Sequence, residues 1–197
     1  MTTLRDLVDQ DPIDMHAVEA HLDSLSSEGR VAETRSLGRQ RQARLFDAAA
    51  GHRAVSLDHF VAPSLPPMHE VVHHGRNTLP AFSSFAKVFA RPEAPDRPVL
   101  WGYNRAGGFV ETVVGPGYFV ARPLDATDEV LVDYLEVPPA RLEAWPEILP
   151  NSARLSAFVY NGTQDVLRGV SNHVAIGRAF KAGKPMSAWF ILCREGT

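Results

Sequence analysis

Apolar positions recur at two different periods along this chain, and the change falls near residue 52. Met15, Val18, Leu22 and Leu25 return at steps of three, four and three, the narrow stripe of a helix with one buried face. Asp11-Pro12 supplies an N-cap followed by proline at the first helical position, and Asp14 adds a carboxylate near the positive end of the dipole. This predicts a helix that stops at Ser26-Ser27. A second helix is predicted from Ser27 to Ala50, closed by Gly51, on the interrupted stripe Val31, Leu37, Leu45, Phe46 and Ala49.

After residue 80 the period falls to two. Val99–Tyr103, Phe109–Val114, Tyr118–Arg122, Glu129–Glu136, Leu155–Tyr160, His173–Phe180 and Met186–Arg194 read as strands, with Asn104–Gly108, Gly115-Pro116-Gly117 and Lys181–Pro185 as turns. Phe82–Phe89 fits both periods: Phe82, Phe85 and Phe89 suit a helix, whereas Phe85, Lys87 and Phe89 alternate. Gln164–Val170 reads as a helical turn in which Asp165 and Arg168 can pair. Strands joined by short turns, without intervening helices, imply antiparallel pairing. The fold class expected is α+β: two N-terminal helices followed by a largely antiparallel sheet, curved or closed into a barrel. The divisions are a helical segment over 1–51, an irregular connector rich in histidine and proline over 52–80, and a β-rich domain over 81–197.

Composition narrows the class. Of 197 residues, 45% are hydrophobic and 22% charged, enough for a packed core in one globular unit. The net charge of −3 offers nothing to nucleic acid or an anionic membrane, so neither is expected as a partner. Lys87, Lys181 and Lys184 are the only lysines; arginine carries the rest of the positive charge, a bias read as bacterial. Cys193 is the one cysteine, which excludes an internal disulfide and suits a reducing compartment. With no signal-like start and no bilayer-length apolar run, a cytoplasmic protein is expected. The oligomeric state and any cofactor have no signature in the sequence.

The most specific chemical string is His69-Glu70-Val71-Val72-His73, followed by His74. Two histidines four apart on a helix, with a glutamate after the first, can hold zinc and a water-activating base. Pro66-Pro67 and Gly75 leave that helix only about two turns, and Glu93 and Glu111 are poorly placed as a third ligand. No metal site is therefore expected at His69, His73 or His74, and a metal-dependent hydrolase using His69, Glu70 and His73 is an alternative reading.

Polar residues in apolar company point elsewhere. Asp133 lies between Leu131 and Leu135 on one strand face, where a buried acid needs a partner or a raised pKa. His173 shares a face with Ala175, Gly177 and Ala179, a flat row over which an aromatic ring or ligand can lie. Asp133 and His173 are the catalytic candidates, and Tyr103, Asn104, Tyr134 and Arg168 the ligand-binding ones. Trp101, Tyr118 and Tyr160 add aromatic surface. The leading expectation is a small-molecule-binding protein, with room for an undefined enzyme activity, whose pocket lies inside the curved sheet. A third reading is a protein–protein interaction module that uses Arg30, Arg35, Arg39, Arg41 and Arg44 of the second helix.

Overall fold

The computed structural model describes residues 2–79, 83–105, 116–124, 126–148 and 162–196. The strands expected at Phe109–Val114 and Leu155–Tyr160, together with Glu111, lie outside these. Eight described strands form a closed antiparallel barrel in chain order, β1 to β8, with β8 returning to pair with β1. They are β1 (Val71–Asn77), β2 (Ser84–Ala90), β3 (Leu100–Arg105), β4 (Tyr118–Leu124), β5 (Glu129–Asp133), β6 (Thr163–Gly169), β7 (Val174–Lys181) and β8 (Lys184–Arg194). Helices precede the barrel: α1 (Leu4–Val8), α2 (Met15–Ser24), α3 (Ser27–Arg35), α4 (Arg39–Ala48) and α5 (Leu57–Phe60). The α+β barrel expected from the pattern is the fold observed, and no helix among the described residues is long and apolar enough to cross a membrane.

Local departures from the sequence reading have identifiable causes. The first expected helix starts at Met15, because Asp14 is its cap and accepts from the N–H groups of His16 (3.0 Å) and Ala17 (3.1 Å). The long second helix is two. Its stripe breaks at Ser36-Leu37-Gly38, where a glycine favours leaving the helix and fully buried Leu37 turns inward. The connector contributes α5 and β1. Val71 and Val72 favour a strand, and the alternating burial of Val71, His73 and Gly75 replaces the helical spacing of the histidines. Gln164–Val170 is mostly β6, not a helical turn, with Thr163, Asp165 and Leu167 buried in alternation.

One apolar cluster fills the barrel and draws on every strand, including Val71, Phe89, Leu100, Phe119, Val130, Leu167, Ala175 and Leu192. Three inward glycines explain how large rings fit. Gly75, Gly102 and Gly177 face Phe85, Phe119 and Phe190 across neighbouring strands. A Cβ on each glycine would meet that ring at 2.6, 2.4 and 2.2 Å. Each phenylalanine therefore lies flat over the neighbouring strand, and the small-residue row of β7 is the floor for Phe190.

Val55, Leu57, Phe60 and Val61 join the same cluster and plug the barrel end where β1 begins. On the outer wall, Leu4, Val18, Leu22, Leu45 and Phe46 of the helices pack on Val174, Ile176, Ile191 and Cys193 of β7 and β8. That seam is mainly apolar, with polar contacts at its margins: Asn172 donates to Asp23, Arg168 to the Phe46 carbonyl and Gln42 to the Arg76 carbonyl.

Candidate functional site

The barrel interior changes character away from the Phe60 plug. Lys87, inward on β2 between Phe85 and Phe89, is 1% exposed. Its neighbour across β3 is Asn104, whose side-chain oxygen accepts from Nζ at 3.0 Å. From the far wall, Asp165 of β6 brings Oδ2 to 3.3 Å, and the Tyr134 hydroxyl accepts a further hydrogen bond from Nζ. Three acceptors thus meet the three donors of one ammonium. Asn104 Nδ2 donates to the Tyr134 oxygen (2.9 Å) and to the Gly117 carbonyl (3.1 Å), and Tyr134 donates to Asp165.

The rest of the lining is aromatic. Lys87 Nζ lies 4.9 Å from the ring centres of Phe119 and Tyr134, 5.0 Å from Phe190 and 5.9 Å from Phe85. Those ring faces attract a cation in a water-poor space. Three of the four are the rings seated on the inward glycines, so the glycine pattern is what assembles the cage. Burial pulls the Lys87 amine below its ordinary range, with Asp165 opposing. Burial pushes the Asp165 carboxyl up, with Lys87 opposing. Both shifts lead toward the neutral pair, an amine beside a carboxylic acid.

Among the expected ligand-binding residues, Asn104 and Tyr134 meet here. Tyr103 faces outward, with Tyr118 and Trp145 at ring-centre distances of 5.7 and 5.1 Å. Arg168 is also outside, where it pairs with Glu129 (2.6 Å), donates to the Phe46 carbonyl (2.8 Å) and stacks over the Phe46 ring. Trp101 is half-buried on the outer face beside Tyr103 and Tyr118, and Tyr160 lies outside the described residues.

Asp133 is buried and accepts from Gln164 Nε2 (2.7 Å) and the Leu135 N–H (2.9 Å). It pairs in register with the start of β6, whereas His173 precedes β7, whose first residues pair with the end of β6. The two candidates therefore sit at opposite ends of one strand, and the structure does not bring them together. His173 Nδ1 is 3.2 Å from Arg194 Nη2, and burial with nearby Arg30 and Arg194 lowers its pKa.

The histidine string is dispersed by the strand. His73 faces inward, with Nε2 3.0 Å from the Phe60 carbonyl oxygen. Glu70 binds Arg105 (2.5 Å) and the Trp145 indole N–H (2.9 Å), and His74 sits 3.7 Å from Glu195. Among the described residues, the histidines and acids that converge with metal-ligand spacing are His16, Glu19 and His52, whose ligating atoms lie within 4.8 Å of one another. The arginine-rich helix lines an open cleft of about 270 Å³ with Asp9, Gly38, Arg39, Arg41 and Arg44. All three of these arginines are already committed, Arg39 to the Ser187 carbonyl, Arg41 to Asp9 and Arg44 to the Gln10 carbonyl.

Sequence reasoning missed Lys87 and Asp165. The signal for Lys87 was its phase with Phe85 and Phe89, a cation among large rings on one strand face. Asp165 was hidden by the helical reading of its segment, which paired it locally with Arg168. Comparison with protein-family models, curated proteins and solved structures finds no match to this chain.

Proposed function

We propose that the barrel binds a small, largely apolar molecule bearing one uncharged hydrogen-bonding head, a carbonyl or a hydroxyl. The observation that carries this reading is the Lys87–Asp165 pair enclosed by Phe85, Phe119, Tyr134 and Phe190. An eight-stranded barrel is just wide enough to be filled by its own side chains or to hold one small ligand. Apolar walls supply affinity, and a few convergent polar groups fix orientation. The charges of Lys87 and Asp165 sum to zero, so a charged head would bring in an unmatched charge, at a high desolvation cost. A neutral oxygen instead accepts from Lys87 or Asn104, or donates to Asp165, in exchange for a bond within the cluster. Phe85, half-buried at the side away from the Phe60 plug, is the ring to be displaced on entry.

Thermal shift and calorimetry with a medium-chain alcohol and the carboxylic acid of the same chain test this. The alcohol is expected to bind and to raise Tm more than the acid. The double variant Lys87→Met/Asp165→Leu is expected to fold and lose that preference. Absence of binding by either compound, or an unchanged preference in the double variant, refutes the proposal.

A further inference from the structure

Resting on that reading, we infer that Lys87 captures an aldehyde or ketone ligand covalently, as an imine held in the aromatic cage with Asp165 as its counter-ion. The geometry supplies each group the chemistry requires. An imine needs an unprotonated amine, an acid to remove the carbonyl oxygen as water, and an environment that tolerates the resulting cation. Asp165 Oδ2, 3.3 Å from Nζ, is placed to take the ammonium proton, leaving amine beside carboxylic acid. The opposed shifts of the two groups favour that transfer.

The amine then adds to the carbonyl carbon: a C–N bond forms, the C=O π electrons go to oxygen, and the proton released by nitrogen neutralises it, giving a carbinolamine. Asp165 returns its proton to the hydroxyl, the C–O bond breaks, and water leaves. The products are a protonated imine on Lys87 and the Asp165 carboxylate, with no net change of charge or oxidation state. The rings of Phe119, Tyr134 and Phe190, at 4.9 to 5.0 Å, then face an iminium as they faced the ammonium. The iminium nitrogen keeps one N–H, which stays directed at one of the acceptors already around it, Asp165, Asn104 or Tyr134.

The sequence makes the test clean, because Lys181 and Lys184 are the only other lysines and both are exposed. The full chain is incubated near neutral pH with a medium-chain aldehyde and cyanoborohydride, which reduces an imine to a stable secondary amine. Adducts are located by peptide mass mapping. Each pKa unit by which Lys87 is depressed raises its free-amine fraction about tenfold over an exposed lysine, so labelling should concentrate on Lys87. Asp165→Asn should slow trapping, and Lys87→Arg should abolish the internal adduct. The matched alcohol separates the two readings. Alcohol binding with adducts only on Lys181, Lys184 or the amino terminus overturns the imine and leaves the binding proposal standing. Failure of the alcohol to bind removes both. Should Lys87→Arg not fold, the Lys87→Met/Asp165→Leu chain serves as the unlabelled control.

A separate observation carries a second site. We propose that His16, Glu19 and His52 bind a divalent ion of intermediate softness such as zinc. His16 and Glu19 are one turn apart on α2, and His52 approaches from the α4–α5 connection, with Nε2 2.9 Å from Glu19 Oε2. Two imidazoles and a carboxylate are a zinc donor set that leaves one position for water. The other Glu19 oxygen is held by Arg53 at 2.6 Å, and Arg53 also binds Asn172, so the carboxylate is oriented from behind. Titration of the metal-free chain with zinc alone should show one equivalent bound and a raised Tm, with both effects lost in His16→Ala and in His52→Ala. No binding, or binding that survives both substitutions, overturns this site.

Discussion

Two basic side chains face the interior of the same barrel, and the fold treats them in opposite ways. His73, toward the plugged end, is fully buried among Phe60 and Phe89, whose ring centres lie 5.4 and 5.1 Å away. Burial holds its pKa down to about 3, so it is neutral and makes one hydrogen bond, to the Phe60 carbonyl. Lys87, two strand residues in from Phe89, is nearly as buried, yet it meets an acid, an amide and a phenol. A structural core can keep a basic group by neutralising it, at little cost. Surrounding a second one with a carboxylate and two further polar contacts in an apolar barrel is much more expensive to build. The difference marks the Lys87 end as the part whose chemistry exceeds what stability requires.

The sharpest way to break the comparison is to remove one member of the pair. Asp165→Leu or Lys87→Met alone should lower unfolding free energy by about 3–5 kcal/mol, because each strands a buried group. The double variant should return to within about 1 kcal/mol of the native chain, since two apolar side chains replace two charges. Urea denaturation of the three variants measures the coupling. Single losses that simply add in the double variant would show that the two residues do not act as a unit.

Large-to-small substitutions compare the apolar halves. Phe89→Ala, in the packed end against Phe60 and Phe119, should cost about 3–5 kcal/mol. Phe85 is half-buried at the other end, so Phe85→Ala should cost roughly half as much. Equal costs would mean that both ends are packed alike and would weaken Phe85 as the ring that yields to a ligand.

What was legible in the sequence follows the same division. Alternation in Leu100–Arg105, Glu129–Asp133 and Met186–Arg194 specified the antiparallel walls, because period two is a property of each strand alone. The polar cluster is a property of wall against wall. Lys87 and Asp165 lie 78 positions apart in sequence, and only barrel closure brings β6 opposite β2. Asn104 was legible as part of the polar cluster Gly102–Arg105 beside an aromatic strand, and Tyr134 as an aromatic residue of the sheet. The same cluster also offered Tyr103, which strand phase turns outward. The carboxylate flanked by leucines was Asp133, which Gln164 and a backbone N–H satisfy on the outer face. The histidine string failed as a motif because its spacing has meaning only on a helix, and Val71-Val72 made it a strand. Convergence of His16 and Glu19 with His52 depends on how the connection after α4 folds back, which no local pattern encodes.

The mildest test concerns His73. Its pKa is depressed in the folded chain, so between about 3 and 6.5 the unfolded chain binds the extra proton. Its contribution to stability is therefore complete above pH 6.5 and is lost as pH falls, with a limiting slope of about 1.4 kcal/mol per pH unit. At pH 5 the loss amounts to about 2 kcal/mol. His59 and His173 also have lowered pKa values, and Asp165, with its raised pKa, contributes with the opposite sign. The useful quantity is thus the difference between the native chain and His73→Leu. Leucine keeps most of the volume and gives up the bond to the Phe60 carbonyl, a cost of about 1 kcal/mol near neutral pH. Below pH 6 the variant should lose stability less steeply than the native chain, and the two curves should cross between pH 6 and 5. Arg194 and His74, which act on His73, are unchanged in the variant, whereas His59, on which His73 itself acts, is the neighbour whose titration enters the difference. Parallel curves from pH 7 to 5 would mean that His73 titrates in the folded chain as it does in the unfolded one. Burial would then not neutralise the basic group of the plugged end, and the contrast between the two ends would be lost.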